Sequence, residues 1–309
     1  MRFSKQVTLL STVMVCLTMP AISSATNGAW LIGFGSKSRA MGGTGVAYNM
    51  GGMAAAFNPA TMIDSGTRFD IGAELFIPPR AITHESGVLG YTDEESNENL
   101  FLVPSMGGTW QWKENTVLGF AFIGAGLKTE YDQTANSDTC QRVNAGGVDG
   151  YTSCPPTVYD PNITITPATE AGVHLMQMQL IPSIAYAVNK THTIGGSIVL
   201  AGQLFRAEGL EAFEDLGFTS SSGNLTGEDW DTSFGAGVRL GWLGKFHNDR
   251  LNVGVNYSSR VYMTEFDKYK NAFAEQGDFD IPSSYAIGIG FKATPSVGIA
   301  FDIQRINWS

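Results

Sequence analysis

Apolar and polar residues alternate along most of this chain. In the stretch LNVGVNYS, for example, Leu251, Val253, Val255 and Tyr257 are separated by asparagine and glycine. Strict alternation is typical of a β-strand, because successive side chains of a strand point to opposite faces. The alternation recurs in segment after segment, so the pattern predicts an all-β protein with nine strands. The predicted strands cover residues of about 68–78, 100–112, 116–129, 172–188, 192–206, 230–243, 250–263, 283–293 and 296–307.

The length of the predicted strands favours a membrane barrel over a soluble domain. A tilted strand needs about 9 to 11 residues to cross a bilayer, and all nine predicted strands reach that length. Strands of soluble proteins average about 5 to 6 residues. Short and long connections also alternate along the chain, as in outer-membrane barrels with tight periplasmic turns and long outside loops. The long connections are residues 79–99, 131–171, 207–229 and 264–282.

The polar faces of the predicted strands indicate which side of the barrel contacts lipid. These faces carry carboxylates, amides and arginines among many glycines. Such a set cannot pack a dry core without a large desolvation cost, but it can line a wet lumen. We therefore expect a transmembrane antiparallel β-barrel whose apolar side chains contact lipid. The residues expected to point inward include Asp70, Glu74, Gln177, Gln179, Gln203, Arg239, Arg260, Asp302 and Gln304.

Nine strands do not close into an ordinary antiparallel barrel. Bacterial single-chain barrels have even strand numbers, and with nine strands the first and the last would run parallel where they meet. The sequence also ends within or just after a strand, at Asn307-Trp308-Ser309. An open barrel edge in lipid leaves backbone groups unsatisfied, which a bilayer does not tolerate. We therefore interpret residues 68–309 as a partial barrel and the sequence as a C-terminally truncated piece of a larger one.

The N-terminus has the features of a secretory signal peptide. Arg2 and Lys5 give a basic start, and the apolar run Val7–Met19 is too short to span a bilayer. Small residues precede a cleavage site after Ala25, so the pattern predicts a signal peptide over residues 1–25. The protein is therefore predicted to be exported. Separately, the formal net charge of −10 argues against nucleic acid as a partner.

Two cysteines remain after the predicted cleavage, Cys140 and Cys154, in a polar loop. An even cysteine count in an exported chain predicts one local disulfide, with free thiols as the alternative. The loop contains no histidine, so we expect no metal site there. The histidines of the chain also lack a recognisable catalytic setting, so we predict that the protein is not an enzyme and has no cofactor. They are His84, His174, His192 and His247.

The segment between the predicted signal peptide and the first strand, residues 26–67, is rich in glycine and alanine and poor in charge. A disordered tail would be charged and polar, whereas this composition suits a segment that packs against a wall. Glycine and alanine let the backbone approach the barrel closely, and Asn58-Pro59 fixes a bend before the first strand. We therefore predict that residues 26–67 plug the lumen.

The stretch GFGSKSRAMGGTGVAYNMGGMAAAFNPATM, residues 33–62, resembles the N-terminal hatch of the FadL-type transporters. That family carries long-chain fatty acids and other hydrophobic compounds across Gram-negative outer membranes. The segment GLKTEY at residues 126–131 and the pair Ile281-Pro282 before a later strand resemble the same family. The resemblance implies a barrel of fourteen strands, more than the nine predicted here. It assigns hatch positions to Gly42, Gly43, Asn58, Pro59 and Ala60.

The resemblance also implies a route for the ligand. In the family, ligand leaves sideways where the third strand is kinked, and the matching positions here are Ile123, Gly124, Ala125 and Gly126. Glycines in a strand mark a bulge or simply belong to a glycine-rich protein, and both interpretations stay open. Capture in a groove between two outside loops is also implied, the alternative being that the loop aromatics only pack the loops onto the rim. The groove candidates are Leu210, Phe213, Phe218, Phe266, Tyr269 and Phe273.

These expectations together predict outer-membrane transport of long-chain fatty acids or similar hydrophobic small molecules. A general diffusion porin and a structural or adhesive outer-membrane barrel are the alternatives. A porin needs an open polar channel, which the predicted plug argues against. The expected partners are a hydrophobic small-molecule ligand, outer-membrane lipid and lipopolysaccharide. The expected assembly is a monomer in the outer membrane of a Gram-negative bacterium.

Overall fold

The computed structural model describes most of the chain beyond the predicted leader. The predicted signal peptide over residues 1–25 lies outside the described residues, and so do Cys140 and Cys154 of the predicted disulfide. The described residues are 30–86, 90–132, 142–145, 148–151, 170–209, 223–227, 229–273, 275–294 and 296–308.

The regular structure is almost entirely β-strand, which confirms the predicted fold class. All nine predicted barrel strands are present; eight of them end within three residues of the predicted ends, and the predicted strand 250–263 is divided into Leu251–Ser258 and the short strand Tyr262–Met263. The strands are β1 (Arg68–Phe76), β2 (Ala81–Ser86), β3 (Gly90–Glu95), β4 (Phe101–Lys113), β5 (Thr116–Asp132), β6 (Arg142–Ala145), β7 (Val148–Tyr151), β8 (Glu170–Ala187), β9 (His192–Glu208), β10 (Asp231–Phe246), β11 (Leu251–Ser258), β12 (Tyr262–Met263), β13 (Ser284–Thr294) and β14 (Val297–Ile306).

Nine long strands form one sheet in the order β1-β4-β5-β8-β9-β10-β11-β13-β14. Every neighbouring pair on this path is antiparallel, and the sheet curls into a half-barrel. Among the described residues, β1 and β14 are its two edges. The short strand β12 pairs with β10, and the hairpins β2–β3 and β6–β7, which the sequence pattern did not predict, form separate two-stranded sheets. In the described parts of the chain, we find no helix with the length and apolarity needed to cross a membrane.

The two faces of the sheet have opposite character. On the convex face, the side chain of Ile71 is 78% exposed and that of Phe301 is 61% exposed. On the concave face, Gln203 is 1% exposed and Arg239 is 6% exposed. Apolar side chains therefore point away from the enclosed space, which is the orientation that a lipid-facing wall requires. The predicted arrangement of the barrel faces is confirmed.

The segment 30–67, which we call the hatch, lies on the concave side of the sheet. It contains one short helix, α1 (Gly35–Ala40), and two 3-10 helices, Gly51–Ala56 and Pro59–Asp64. Residues 50–62 are buried without interruption. The centre of the hatch is therefore part of the protein core and not a loose tail.

The substitution Ile289→Arg tests the lipid-facing wall. We expect it to destabilise the protein in a bilayer by about 2–4 kcal/mol, because an arginine near the middle of the wall must leave water. Ile289 lies near the middle of β13 and is 45% exposed on its outer face. The control is Tyr285→Arg near the end of the same strand, with an expected cost of about 0–1 kcal/mol. Denaturant unfolding from lipid vesicles measures both, and equal costs at the two depths would contradict the assignment.

Candidate functional site

The hatch and the wall share one apolar core. Ala54 and Met62 of the hatch are 0% exposed, as is Ile181 of β8, and Ile123 of β5 is 2% exposed. Small hatch side chains let the two backbones approach each other, and methionine fills the irregular space that remains. The hatch therefore fills the enclosed space at this level of the half-barrel.

Asn58 connects two parts of the hatch with the wall. Its Nδ2 donates to the carbonyl of Val46 at 2.8 Å and to the carbonyl of Trp242 in β10 at 3.0 Å. Its Oδ1 accepts a hydrogen bond from the Ala60 amide at 3.0 Å. Gly241 of β10 makes room for this side chain, since a Cβ there would lie 1.9 Å from Asn58 Oδ1. Asn58 is thus the predicted hatch residue with the most direct contact to the wall.

The other predicted hatch residues shape the chain on either side of Asn58. Gly42 and Gly43 follow α1 with φ angles of 70° and 89°, which residues with a side chain rarely adopt. Their amides donate to carbonyls of α1 at 3.1 and 2.8 Å. Pro59 begins the second 3-10 helix, where its missing amide hydrogen is not needed. Ala60 is fully buried at 0% exposure.

Arg239 of β10 contacts the hatch backbone from the middle of the sheet. Its Nη1 donates to the carbonyls of Ala55 at 3.2 Å and Ala56 at 2.5 Å. These carbonyls lie at the end of the first 3-10 helix, where a helix leaves acceptors without partners of its own. Charge-assisted hydrogen bonds are stronger than neutral ones, and this guanidinium is almost completely buried. Arg239 therefore holds the first 3-10 helix against the wall.

Carboxylates hold the hatch backbone at both edges of the sheet. Asp302 of β14 accepts hydrogen bonds from the amides of Gly45 at 2.7 Å and Val46 at 2.9 Å. At the opposite edge, Asp70 of β1 accepts from the Gly52 amide at 2.7 Å. Backbone amides of the hatch are thus satisfied by side chains of the wall. This arrangement fixes the hatch across the whole width of the half-barrel.

Two ion pairs add to these contacts at the rim of the hatch. Arg39 of α1 lies 2.5 Å from Glu74 of β1, and Asp64 pairs with Lys245 of β10. Both pairs are partly exposed, so each contributes little to stability. The buried hydrogen bonds of Asn58 and Arg239 therefore dominate the attachment of the hatch. Burial of Lys37 on α1 lowers the pKa of its ammonium group.

A small cleft of about 100 Å³, open on one side, remains between the hatch and the wall, from Gln179 of β8 to strands β10, β11, β13 and β14. Its hatch side is aromatic, with ring centroids 5.8 Å apart for Trp30 and Phe34 and 5.9 Å apart for Phe34 and Phe57. Its wall side carries polar groups, including Arg239 and Asn256. Apolar surface combined with a few polar groups is typical of small-molecule sites. This cleft is the candidate ligand site.

The wall between β4 and β5 is incompletely paired. Their ladder stops at Ser105 opposite Ile123, although both strands continue beyond this point. Pro104 comes next on β4 and has no amide hydrogen with which to continue the ladder. We call the unpaired stretch, residues 101–104 of β4 beside residues 124–127 of β5, the wall window. Each side of the window stays paired with its other neighbour, β1 or β8.

The wall window contains three of the four predicted lateral-opening residues, Gly124, Ala125 and Gly126, and the fourth, Ile123, borders it. Ile123 lies at its inner end and packs against the hatch, while Gly124 follows directly. A Cβ on Gly124 would lie 3.7 Å from Pro104, an ordinary contact, whereas one on Gly126 would lie 2.3 Å from the Leu175 carbonyl. Strand β5 pairs with β8 in unbroken register over its whole length. The irregularity therefore lies in the pairing with β4 and not in β5 itself.

The outer end of the wall window is bridged by polar contacts. Arg80 donates to the carbonyls of Lys128 and Glu98, and the Lys128 side chain pairs with the Glu98 carboxylate. The Asn97 amide donates to the Glu130 carbonyl at 2.8 Å. The window is thus bounded on both ends, by the β4–β5 ladder on one and by Arg80 on the other.

The described candidates for the loop groove lie together in one aromatic cluster. Phe266 and Tyr269 are 0% exposed. The rings of Phe266 and Phe273 stack with centroids 5.7 Å apart, and Phe273 lies 4.8 Å from Phe205 of β9. These aromatics therefore pack the fourth long loop against the outer end of the wall. The candidates of the third long loop, Leu210, Phe213 and Phe218, lie outside the described residues.

Sequence reasoning assigned no specific role to Arg239, Asp302 or Trp30, which the structure brings to the hatch and the cleft. For Arg239, the available signal was an arginine on a strand predicted to cross a membrane, since such residues are rarely without function. Pro104 inside a predicted strand was a comparable signal for interrupted pairing. Nothing in the sequence predicts the contacts of Phe34 with Trp30 and Phe57, because these contacts depend on how the hatch folds.

Comparison with known sequences does not identify a family for this chain. No known family profile matches the chain. Over 38 residues it is 60% identical to an uncharacterised protein from the phosphoenolpyruvate carboxykinase gene 5′ region of Chlorobium limicola. That match covers 12% of this chain and 19% of the relative, so the chain matches about a fifth of that protein's length.

Comparison with solved structures is more informative about the fold. The toluene transporter TbuX of Ralstonia pickettii superposes with a TM-score of 0.62 at 20% identity, covering 90% of this chain and 73% of that chain. The toluene transporter TodX of Pseudomonas putida gives a TM-score of 0.62 at 18% identity, with 92% and 72% covered. A FadL homologue of Pseudomonas aeruginosa gives 0.51 at 12% identity, with 86% and 66% covered. The fold of this chain is therefore that of the FadL-type outer-membrane transporters.

Proposed function

We propose that the protein carries hydrophobic small molecules, such as long-chain fatty acids or aromatic hydrocarbons, across the outer membrane of a Gram-negative bacterium. The molecule is captured at the outside loops and moves into the cleft between the hatch and the wall. A shift of the hatch then releases it sideways through the wall window into the membrane. The driving force is hydrophobic transfer, at about 0.8 kcal/mol for each buried methylene.

The observation that carries this proposal is the hatch itself. Its buried centre fills the enclosed side of the sheet and hydrogen-bonds to β1, β10 and β14. A general diffusion porin needs an open, water-filled lumen, so the filled lumen favours a gated transporter. An adhesive or purely structural barrel has no need for a cleft beside the plug. The conductance and accumulation measurements described below distinguish a transporter from both of these alternatives.

The wall window supports sideways release. It lies next to Ile123, which packs against the hatch, so a shift of the hatch reaches the window directly. Gly124 and Gly126 bring no side chains to β5 at this point. Similar solved structures include a toluene transporter and a monoaromatic hydrocarbon channel, which supports a hydrophobic cargo. Monomeric assembly and contact with lipopolysaccharide complete the proposal.

Two measurements test the proposal, one on the reconstituted protein and one in cells. In planar bilayers we expect little steady ion current, because the hatch fills the lumen. In cells that produce the protein, we expect faster accumulation of a labelled alkanoate or toluene than in cells without it. A large steady conductance combined with unchanged accumulation would favour a porin, and neither conductance nor accumulation would favour a structural barrel.

Gly124→Leu tests the wall window. We expect accumulation to fall severalfold while folding is preserved, because the new side chain occupies the window and its Cβ meets Pro104 at an ordinary 3.7 Å. The matched control is Gly196→Leu on β9, where the nearest atom to a Cβ is 4.0 Å away and no window is present. Uptake by both variants is compared at equal amounts of protein in the membrane. Equal uptake by the two variants would show that ligand does not leave through the window.

A further inference from the structure

We propose that the cleft takes a neutral ring compound that carries a hydroxyl group, such as a phenol, in preference to a plain hydrocarbon or a carboxylate. The inference rests on the proposed function, because it names the class of molecule that the same cleft takes. It starts from polar atoms of the cleft that lack partners.

Four side chains of the cleft wall have unpaired polar atoms. Arg239 Nε, Asn256 Oδ1, both amide atoms of Gln179, and Asp302 Oδ1 find no hydrogen-bond partner among the described residues. Gln179 is 2% exposed, and Asn256 and Arg239 are each 6% exposed. Buried polar groups in native proteins are almost always hydrogen-bonded, so these atoms can pair with a polar group of a ligand in the cleft.

The strand register places three of these side chains on the same inward face of the sheet, along one side of the cleft. Arg239 lies opposite Ser258, and Asn256 lies two positions before Ser258 on β11 and opposite Ala286 of β13. Asp302 lies opposite Gly288, two positions after Ala286. Arg239, Asn256 and Asp302 therefore belong to three successive inward-facing rows of the sheet, since residues two apart on a strand share a face.

The charges in the cleft favour a neutral polar group. Arg239 offers a donor, but the carboxylate of Asp302 lines the same cleft, so an anionic ligand attracted by one is repelled by the other. A hydrocarbon leaves every one of these atoms unpaired. A hydroxyl both donates and accepts, so it can accept from Arg239 Nε and donate to Asn256 Oδ1. Of a hydrocarbon, a carboxylate and a hydroxyl, the hydroxyl alone can pair with both kinds of atom without adding charge.

The hatch side of the cleft favours a ring over a flexible chain. Trp30 and Phe34 meet nearly edge to face, with an interplanar angle of 77°, and Phe57 continues the aromatic surface. A third ring can add edge-to-face contacts to such a surface at little conformational cost. The polar wall and the aromatic hatch face each other across the cleft, so a ring with one hydroxyl matches both sides.

Isothermal titration of the full chain in detergent with toluene, p-cresol and p-toluate tests this inference. The three compounds share a methyl-substituted ring and differ in one substituent. We expect p-cresol to bind about tenfold more tightly than toluene, because it gains two hydrogen bonds, and more tightly than p-toluate. Toluene binding as tightly as p-cresol would mean that water alone satisfies the orphan atoms. p-Toluate binding most tightly would make the cleft a carboxylate site, and either result overturns the inference.

The variant Asn256→Leu separates this inference from the proposed function. It should bring the ratio of the p-cresol affinity to the toluene affinity, measured in the same variant, close to one. The control Gln203→Leu removes another buried amide, 1% exposed on β9, from outside the cleft and should keep the preference. An unchanged preference in Asn256→Leu contradicts the hydroxyl assignment. Absence of binding by all three compounds contradicts the proposed function itself, whereas binding without preference contradicts only the inference drawn here.

Discussion

Gly241→Val is expected to displace the hatch and open the lumen to ions. A Cβ at this position would lie 1.9 Å from Asn58 Oδ1 and 2.9 Å from Pro59 Cδ, so the hatch must move. The movement breaks the hydrogen bond from Asn58 to the Trp242 carbonyl. Overpacking of this kind destabilises a buried contact by about 3 kcal/mol. Planar-bilayer conductance measures the result, and a large steady current is expected where the parent protein shows little.

The matched control for this substitution is Gly196→Val on β9. The nearest atom to a Cβ there is Leu240 Cδ2 at 4.0 Å, so the added side chain meets open space. This variant should conduct like the parent protein. If Gly241→Val folds into the membrane and also conducts like the parent, the hatch is not held at Asn58 as described.

Arg239→Met is expected to weaken the attachment of the hatch to the wall without displacing the hatch sterically. Methionine has an unbranched apolar side chain that fills part of the same space, but it lacks the donor for the carbonyls of Ala55 and Ala56. Loss of two charge-assisted hydrogen bonds should lower the free energy needed to detach the hatch from the wall by about 3 kcal/mol. Hydrogen exchange of the hatch amides measures this directly, and exchange about 100-fold faster is expected.

The control for the loosened hatch is Arg206→Met on β9. Arg206 pairs with Glu208 at the outer end of the same strand and is partly exposed. Its loss should change hatch exchange by much less than the loss of Arg239, because partly exposed ion pairs contribute little. Equal acceleration in both variants would indicate general destabilisation of the sheet and contradict a specific role for Arg239.

The strands and their outward faces could be predicted from the sequence because they depend on a local period of two. On β13, Tyr285, Ile287 and Ile289 alternate with small residues, and the structure exposes these three and encloses Ala286. The hatch could be predicted because its composition and its resemblance to a known hatch are also local features. Both predictions needed no knowledge of distant contacts.

The details of the candidate site could not be predicted in the same way, because they depend on long-range contacts. The period marks Arg239 and Gln203 alike as inward-facing, yet only Arg239 lies against hatch carbonyls. Strand β5 carries the glycines that indicated an opening, but the interruption arises from Pro104 on the neighbouring strand. The hairpins within the long loops also escaped prediction, because their sequences are polar on both faces.

Site-directed nitroxide labelling on β11 and β13 tests the central claim, that the apolar face of the sheet contacts lipid and the polar face encloses the hatch and cleft. Labels at Tyr257 and Ile287 report the outer face, and labels at Ser258 and Ala286 report the cleft. In lipid vesicles we predict high collision rates with oxygen at the first two positions and low rates at the last two. The reverse pattern, or a protein that is soluble without detergent and buries Tyr257 and Ile287, would contradict the account.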